Sequence, residues 1–147
     1  MLRSILATMA LIALIGCGGD SAEKYLGQGV AHFQKQEFDL AIQSYEKAIN
    51  LEPKSAAAYN LLGMAYRFKY NQLGNPDFKQ KEIAAFQKAV DIDPRYWGAM
   101  INLGATYYYM GEKAKAAALF KQALAVNPNN PEKVELEKMI VEGEGKK

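Results

Sequence analysis

Cys17 and His32 are the side chains with which this chain could do nucleophilic or metal chemistry, and the sequence holds one of each type. A thiol nucleophile needs a base within hydrogen-bond reach, and a zinc site needs three or four sulfur, nitrogen or carboxylate ligands. One cysteine and one histidine supply neither set, and a single cysteine excludes an intramolecular disulfide. No Gly-x-Ser-x-Gly elbow and no phosphate-cradling glycine loop occurs. The stretch Gly16-Cys17-Gly18-Gly19 sits instead at the end of an apolar run. With 18 basic against 16 acidic side chains, the net charge of +2 is too small to draw nucleic acid. The residues therefore point to no catalytic group, no metal ligand set, no cofactor and no small-molecule substrate. What the chain does must come from the elements around these residues and the surface they present.

The first element is the leader. Arg3 is followed by mostly apolar residues from Ile5 to Ile15, a length suited to a signal peptide and about half of the ~20 residues that span a bilayer. An ordinary cleaved leader or a buried helix would read the same way up to that point. Its end is more specific, because Leu14-Ile15-Gly16-Cys17 resembles the bacterial lipobox, in which a small residue precedes the cysteine that is lipidated. By that resemblance residues 1-16 are a lipoprotein signal peptide, Cys17 carries the lipid, and residues 17-21 are a short tether to a membrane. Two or three acyl chains anchor stably where one does not. Gly18 stands where enteric bacteria place an aspartate to retain lipoproteins in the inner membrane, so the resemblance implies a cell-envelope location at the outer membrane, facing the periplasm. Asp20, with Glu23 three residues on, reads as a capping box that opens a helix. The tether from Cys17 to Ser21 then reaches at most about 14 Å, at roughly 3.5 Å per residue.

The remainder repeats. Tyr45, Ala48 and Pro53 are matched by Phe86, Ala89 and Pro94 and again by Phe120, Ala123 and Pro128, with offsets of 41 and then 34 residues. Gly29, Gly63 and Gly104 lie upstream at spacings of 34 and 41, so seven extra residues fall between Gly63 and Phe86. A period of this size indicates stacked helix pairs. Ala41, Ile42, Tyr45, Ala48 and Ile49 form one helical stripe, and each proline stops the helix before it by lacking a donor and disfavouring helix at the preceding residue. The spacing predicts helices near 21-35, 38-51, 55-71, 76-92, 96-110 and 113-126.

These residues resemble the tetratricopeptide repeat (TPR) family. The middle unit carries the pattern best, in Tyr59, Leu62, Gly63, Tyr66, Phe86, Ala89 and Pro94, with Glu82 where the first alanine belongs. The third has Leu103, Gly104, Tyr107, Ala116, Phe120, Ala123 and Pro128, with Met100 for the first aromatic. The first has Tyr25, Gly29, Ala41, Tyr45, Ala48 and Pro53, but Gln28 and His32 replace leucine and tyrosine. The resemblance implies an all-α, short right-handed solenoid of three hairpins: 22-55, 56-96 with the seven-residue extension, and 97-130. His32 then falls at a helix interface, as a packed or partly exposed structural residue.

Two features decorate that array. Asn130 and Pro131, with Glu132 in the first turn, read as the start of a capping helix over 131-141 that lays Val134, Met139 and Ile140 on the third hairpin, within a segment 131-147 that frays from Gly143. A disordered polar tail is the alternative. Seven residues are close to two helical turns, enough to lengthen both helices of the middle hairpin by about one turn, and Asn75-Pro76 marks the earlier start of its second helix. Leu73 and Phe78 at that tip would form a small contact surface or pack against Phe68 and Tyr70.

What the resemblance implies about function is protein binding. Repeats of this kind hold an extended or helical segment of a partner protein in a concave groove lined by the first helix of each pair. By register the groove carries Leu26, Val30 and Phe33, then Asn60, Met64, Arg67 and Phe68, then Ile101, Ala105, Tyr108 and Tyr109. Aromatic, methionine and arginine side chains are enriched at the energetic centres of interfaces, so an apolar groove with Arg67 as charged selector is expected. Burial of several of these by the capping helix or by curvature is the alternative. The clamp that some family members use for chaperone tails is not expected, because Leu26, Val30, Leu61 and Gly98 occupy its positions and only Asn102 is compatible. The reading is a membrane-anchored adaptor or scaffold of the bacterial cell envelope, not an enzyme. The other reading is a structural subunit of a homo-oligomeric or larger assembly with no free groove.

Overall fold

A computed structural model describes residues 19–145. Among them there are seven helices and no strand: α1 (Ala22–Gln34), α2 (Phe38–Leu51), α3 (Ala56–Leu73), α4 (Pro76–Ile92), α5 (Trp97–Tyr109), α6 (Lys113–Val126) and α7 (Lys133–Gly143). Cys17 and the leader lie outside the described residues. No described helix is long and apolar enough to cross a membrane.

Consecutive helices pair as three hairpins, α1 with α2, α3 with α4 and α5 with α6, and the first helix of each following hairpin covers the second helix before it. The repeated glycines make this closeness possible. A methyl group on Gly63 would stand 2.7 Å from the Phe86 ring and one on Gly104 2.6 Å from the Phe120 ring, while Gly29 meets Tyr45 in the same way. Each aromatic occupies the space its glycine vacates, and Tyr45, Phe86 and Phe120 are fully buried. Burial in this apolar setting pushes the Tyr45 hydroxyl up to about 12.

Local chemistry sets the helix ends. The Lys24 amide donates to Ser21 Oγ (3.1 Å), so Ser21 is the cap of α1. Asp20, expected to cap it, instead takes the Lys24 ammonium at 3.0 Å one turn on. Asn75 caps α4 through the Asp77 amide (2.9 Å), with Pro76 in the first turn, as the sequence indicates. Gly74 ends α3 in the left-handed region at φ 67°. The turn between α1 and α2 places Gln36 at φ 62°, where the matching turn between α5 and α6 has Gly111 at φ 83°. His32 braces that first turn, its ring Nδ1 donating to Glu37 Oε2 at 2.7 Å.

The seven extra residues are distributed unevenly. α3 has 18 residues where α1 and α5 have 13, and α4 has 17 where α2 and α6 have 14. The turn between α3 and α4 is one residue shorter than the turns inside the other two hairpins. At the tip Phe78 packs toward Tyr66, ring centroids 6.2 Å apart, whereas Leu73 stays exposed.

α7 does cap the array, though it begins later than the spacing indicates. Asn130 is buried and its side chain accepts the Glu132 amide at 2.8 Å, so Pro131 and Glu132 form a turn before the helix. Leu136 and Ile140, with Met139 beside them, pack on Ala116, Ala117 and Phe120. Val134, expected on that face, points to solvent at 80% exposure, because it lies about 200° around the helix from Leu136, which shares the seam with Ile140 one turn on. Gly143 lets α7 approach the backbone of Lys113 and the Ala117 methyl.

Candidate interaction surface

The groove residues divide into three groups. Phe33, Phe38 and Phe68, from α1, α2 and α3, meet as an aromatic triad with centroids 5.1 to 5.5 Å apart. Phe38 is buried, Phe33 is half-buried and Phe68 remains 43% exposed. Val30 is exposed one turn before Phe33, and Leu26 packs into the first core cluster.

The second group is polar and committed internally. Asn60 is buried, donating to Tyr96 Oη (3.3 Å) and accepting from Asn102 Nδ2 (2.9 Å), with Met64 half-buried at 4.0 Å. Arg67, expected to face a ligand as charged selector, spends most of its donors within the chain. Its Nε donates to Glu82 Oε1 at 2.8 Å, Nη1 to Asn102 Oδ1 at 3.2 Å, and Nη2 to the Asn102 carbonyl at 2.7 Å and Thr106 Oγ1 at 2.9 Å. Its guanidinium also lies 4.8 Å from the Phe86 ring centroid. The network centres on Glu82, which is fully buried. A buried carboxylate needs several donors to offset lost hydration. Glu82 has them, for Thr106 Oγ1 donates to Oε1 at 2.6 Å and Lys79 Nζ to Oε2 at 2.6 Å. Sequence reading passed over this network. Its one signal was a glutamate standing where the other hairpins have Ala41 and Ala116.

The third group lies on α5. Ile101 and Tyr108 are half-buried against the cluster formed with α7. The Tyr108 hydroxyl donates to Glu142 Oε2 at 2.6 Å, and Lys113 Nζ reaches the same oxygen at 2.9 Å. The Tyr108 hydroxyl bond, then the Lys113 ammonium, hold the Glu142 carboxyl below the usual glutamate range, and the same contact raises Tyr108. Tyr109 points away from this contact, edge-on to Tyr108 at 5.6 Å and 81% exposed, with Met110 exposed beside it. The described surface therefore offers Phe68 at one end and Tyr109 with Met110 at the other, separated by the satisfied polar network. Among the described residues no group of three histidine, cysteine, aspartate or glutamate side chains is placed to hold a metal ion.

Comparison with known proteins agrees with this architecture. A family model described as TPR repeat matches residues 29–67 and one described as tetratricopeptide repeat matches residues 98–130. Protein bimA of Emericella nidulans is 26% identical over 110 residues, 75% of this chain and 13% of its own length. The Hsp70-Hsp90 organizing protein of Triticum aestivum is 28% identical over 111 residues, 76% of this chain and 18% of its own. The chain thus spans less than a fifth of either relative. Among solved structures, the TPR2B domain of yeast Sti1, determined as a complex with pHsp70, superposes with a TM-score of 0.70 at 21% identity, covering 84% of this chain and 96% of that one. Repeats of this kind mediate protein-protein interaction. Residues 29–67 and 98–130 match tetratricopeptide repeat models, and the described residues take the all-α solenoid fold of such repeats.

Proposed function

We propose that this chain is a membrane-anchored adaptor of the bacterial cell envelope, which holds a segment of a partner protein along the first helices of its hairpins. The observation that carries the reading is the exposure of Phe68, Tyr109 and Met110 on and just after α3 and α5, large side chains left uncovered by neighbouring hairpins and by α7. Such residues dominate binding where they are desolvated by a partner. The solved complex of a similar fold with pHsp70 supports peptide capture as the mode. The carriage of a chaperone tail in particular is not proposed, since Asn102 is engaged by Asn60 and Arg67.

The anchor rests on Cys17 in its lipobox-like setting. Cys17→Ala should release the protein from membranes or stall its processing; retention with unchanged processing would sink the anchor. For the binding face, a photo-crosslinking side chain at Phe68 in full-length protein should capture a defined partner from native membranes, and a control at exposed Lys88 on α4 should not. Equal capture at both positions would remove the first helices as the site. A second reading, a structural subunit, is favoured by Val134 and Val141, exposed on the outer side of α7; concentration-dependent self-association lost in Val134→Lys/Val141→Lys would select it.

A further inference from the structure

The lengthened second hairpin does more than preserve register. The last turn of α3 and the first turn of α4 come up to the end of α5, and a notch of about 300 Å³ opens between them, its lining including Arg67, Tyr70, Lys79, Glu82, Tyr109 and Met110. That is the lower end of the roughly 300–1,000 Å³ range of binding pockets, room for an anchor side chain and its neighbour. Two cations and one carboxylate face it, an excess of one positive charge. Glu82 is saturated by Arg67, Thr106 and Lys79. Arg67 keeps one Nη1 hydrogen beyond its internal bonds. The Lys79 ammonium has three hydrogens; one serves Glu82 at 2.6 Å, the Tyr70 ring lies 4.2 Å away, and the side chain is 21% exposed. One wall is apolar and open, formed by Tyr109 and Met110.

We propose that this notch seats an internal aspartate or glutamate of the partner segment, its carboxylate on Lys79 Nζ, with the apolar residue beside it on Tyr109 and Met110. The inference rests on the partner-binding reading above and names the chemistry of the anchor. Charge complementarity selects the acidic side chain, and the Lys79 ammonium hydrogens not spent on Glu82 suit a single carboxylate reaching down from a segment that crosses the notch. The selector is thus Lys79, at the register position of Phe38 and Lys113 just after the extension, and Arg67 acts mainly by holding Glu82 and α5 in place.

The test uses three capped tripeptides against the full-length protein in detergent, read by chemical shifts of the Met110 methyl and Tyr109 ring. Acetyl-Leu-Glu-Leu-amide should shift both saturably, about fivefold more tightly than acetyl-Leu-Gln-Leu-amide, with the preference falling as salt is raised. Lys79→Gln should erase the Glu over Gln preference. Because that variant also removes a Glu82 partner, Tyr109→Ala provides a second arm: it should weaken both peptides and leave the preference intact. Equal affinity for the two peptides, no saturable shift at millimolar peptide, or tighter binding of acetyl-Leu-Gln-Leu with a free carboxyl terminus would each overturn the proposal. Partner capture at Phe68 that persists in Lys79→Gln, alongside such a result, would discard the notch alone; loss of position-specific capture in the unmodified chain would discard the partner-binding reading itself.

Discussion

A glycine and an aromatic ring define each hairpin, and the fit leaves no slack. Gly63→Ala would drive a methyl group into Phe86, which cannot retreat from a fully buried site, and should cost about 1–3 kcal/mol in urea unfolding. Adding Phe86→Leu should return part of that loss, a non-additivity that a merely helix-favouring substitution would not show. Gln36 works the other way. Its left-handed backbone is costly for a residue with a side chain, and Gly111 occupies the matching place, so Gln36→Gly should raise stability by up to about 1 kcal/mol in the same assay. Glu82→Ala would restore the alanine of the other hairpins yet leave Arg67 and Lys79 without their shared anion. It should destabilise by about 2–3 kcal/mol, less than a wholly dry pair because both cations keep some water, and Arg67→Met in the same chain should recover part. The glycines and aromatics were legible as spacing. The destiny of Arg67 was not, because register places a residue on a face but the groups that meet it arrive from α4 and α5, 15 to 39 residues away.

The helices themselves were readable because their stops are chemical: prolines after α2, α4 and α6, Asn75-Pro76 before α4. Less legible was α7, where an Asn-Pro pair forms a preceding turn and Leu136 takes the seam expected of Val134. Its docking combines apolar contact with the Tyr108–Glu142–Lys113 cluster, and this gives it a pH signature. A carboxyl whose folded value lies below its unfolded one stabilises the fold above about pH 4.3 and ceases to as pH falls through the lowered value. Hydrogen exchange at α7 amides should therefore accelerate selectively in acid, relative to α3 and α4. Glu142→Gln should show the faster α7 exchange already at neutral pH; unchanged exchange there would assign the docking to Leu136 and Ile140 alone.

At the scale of the molecule, the repeat period makes the array visible from sequence, while the notch depends on how seven residues are shared between two helices and a turn. The two inner joints of the array differ in kind. Between the first and second hairpins, Ala41, Ile42 and Tyr45 meet Leu62, Ala65 and Tyr66, with Tyr66–Glu46 and Lys69–Asp39 pairs at the rim. Between the second and third, Asn60, Arg67, Glu82, Asn102 and Thr106 are bonded across the joint. Apolar contact weakens on cooling, whereas the hydration penalty of buried charge falls on heating. The array is thus jointed by two materials with opposite thermal responses. In the cold, exchange protection should fade first at the α2 and α3 seam; on warming, the α3 to α5 seam should be among the last to open, so that the half of the molecule bearing the notch keeps its shape across the wider range of temperature.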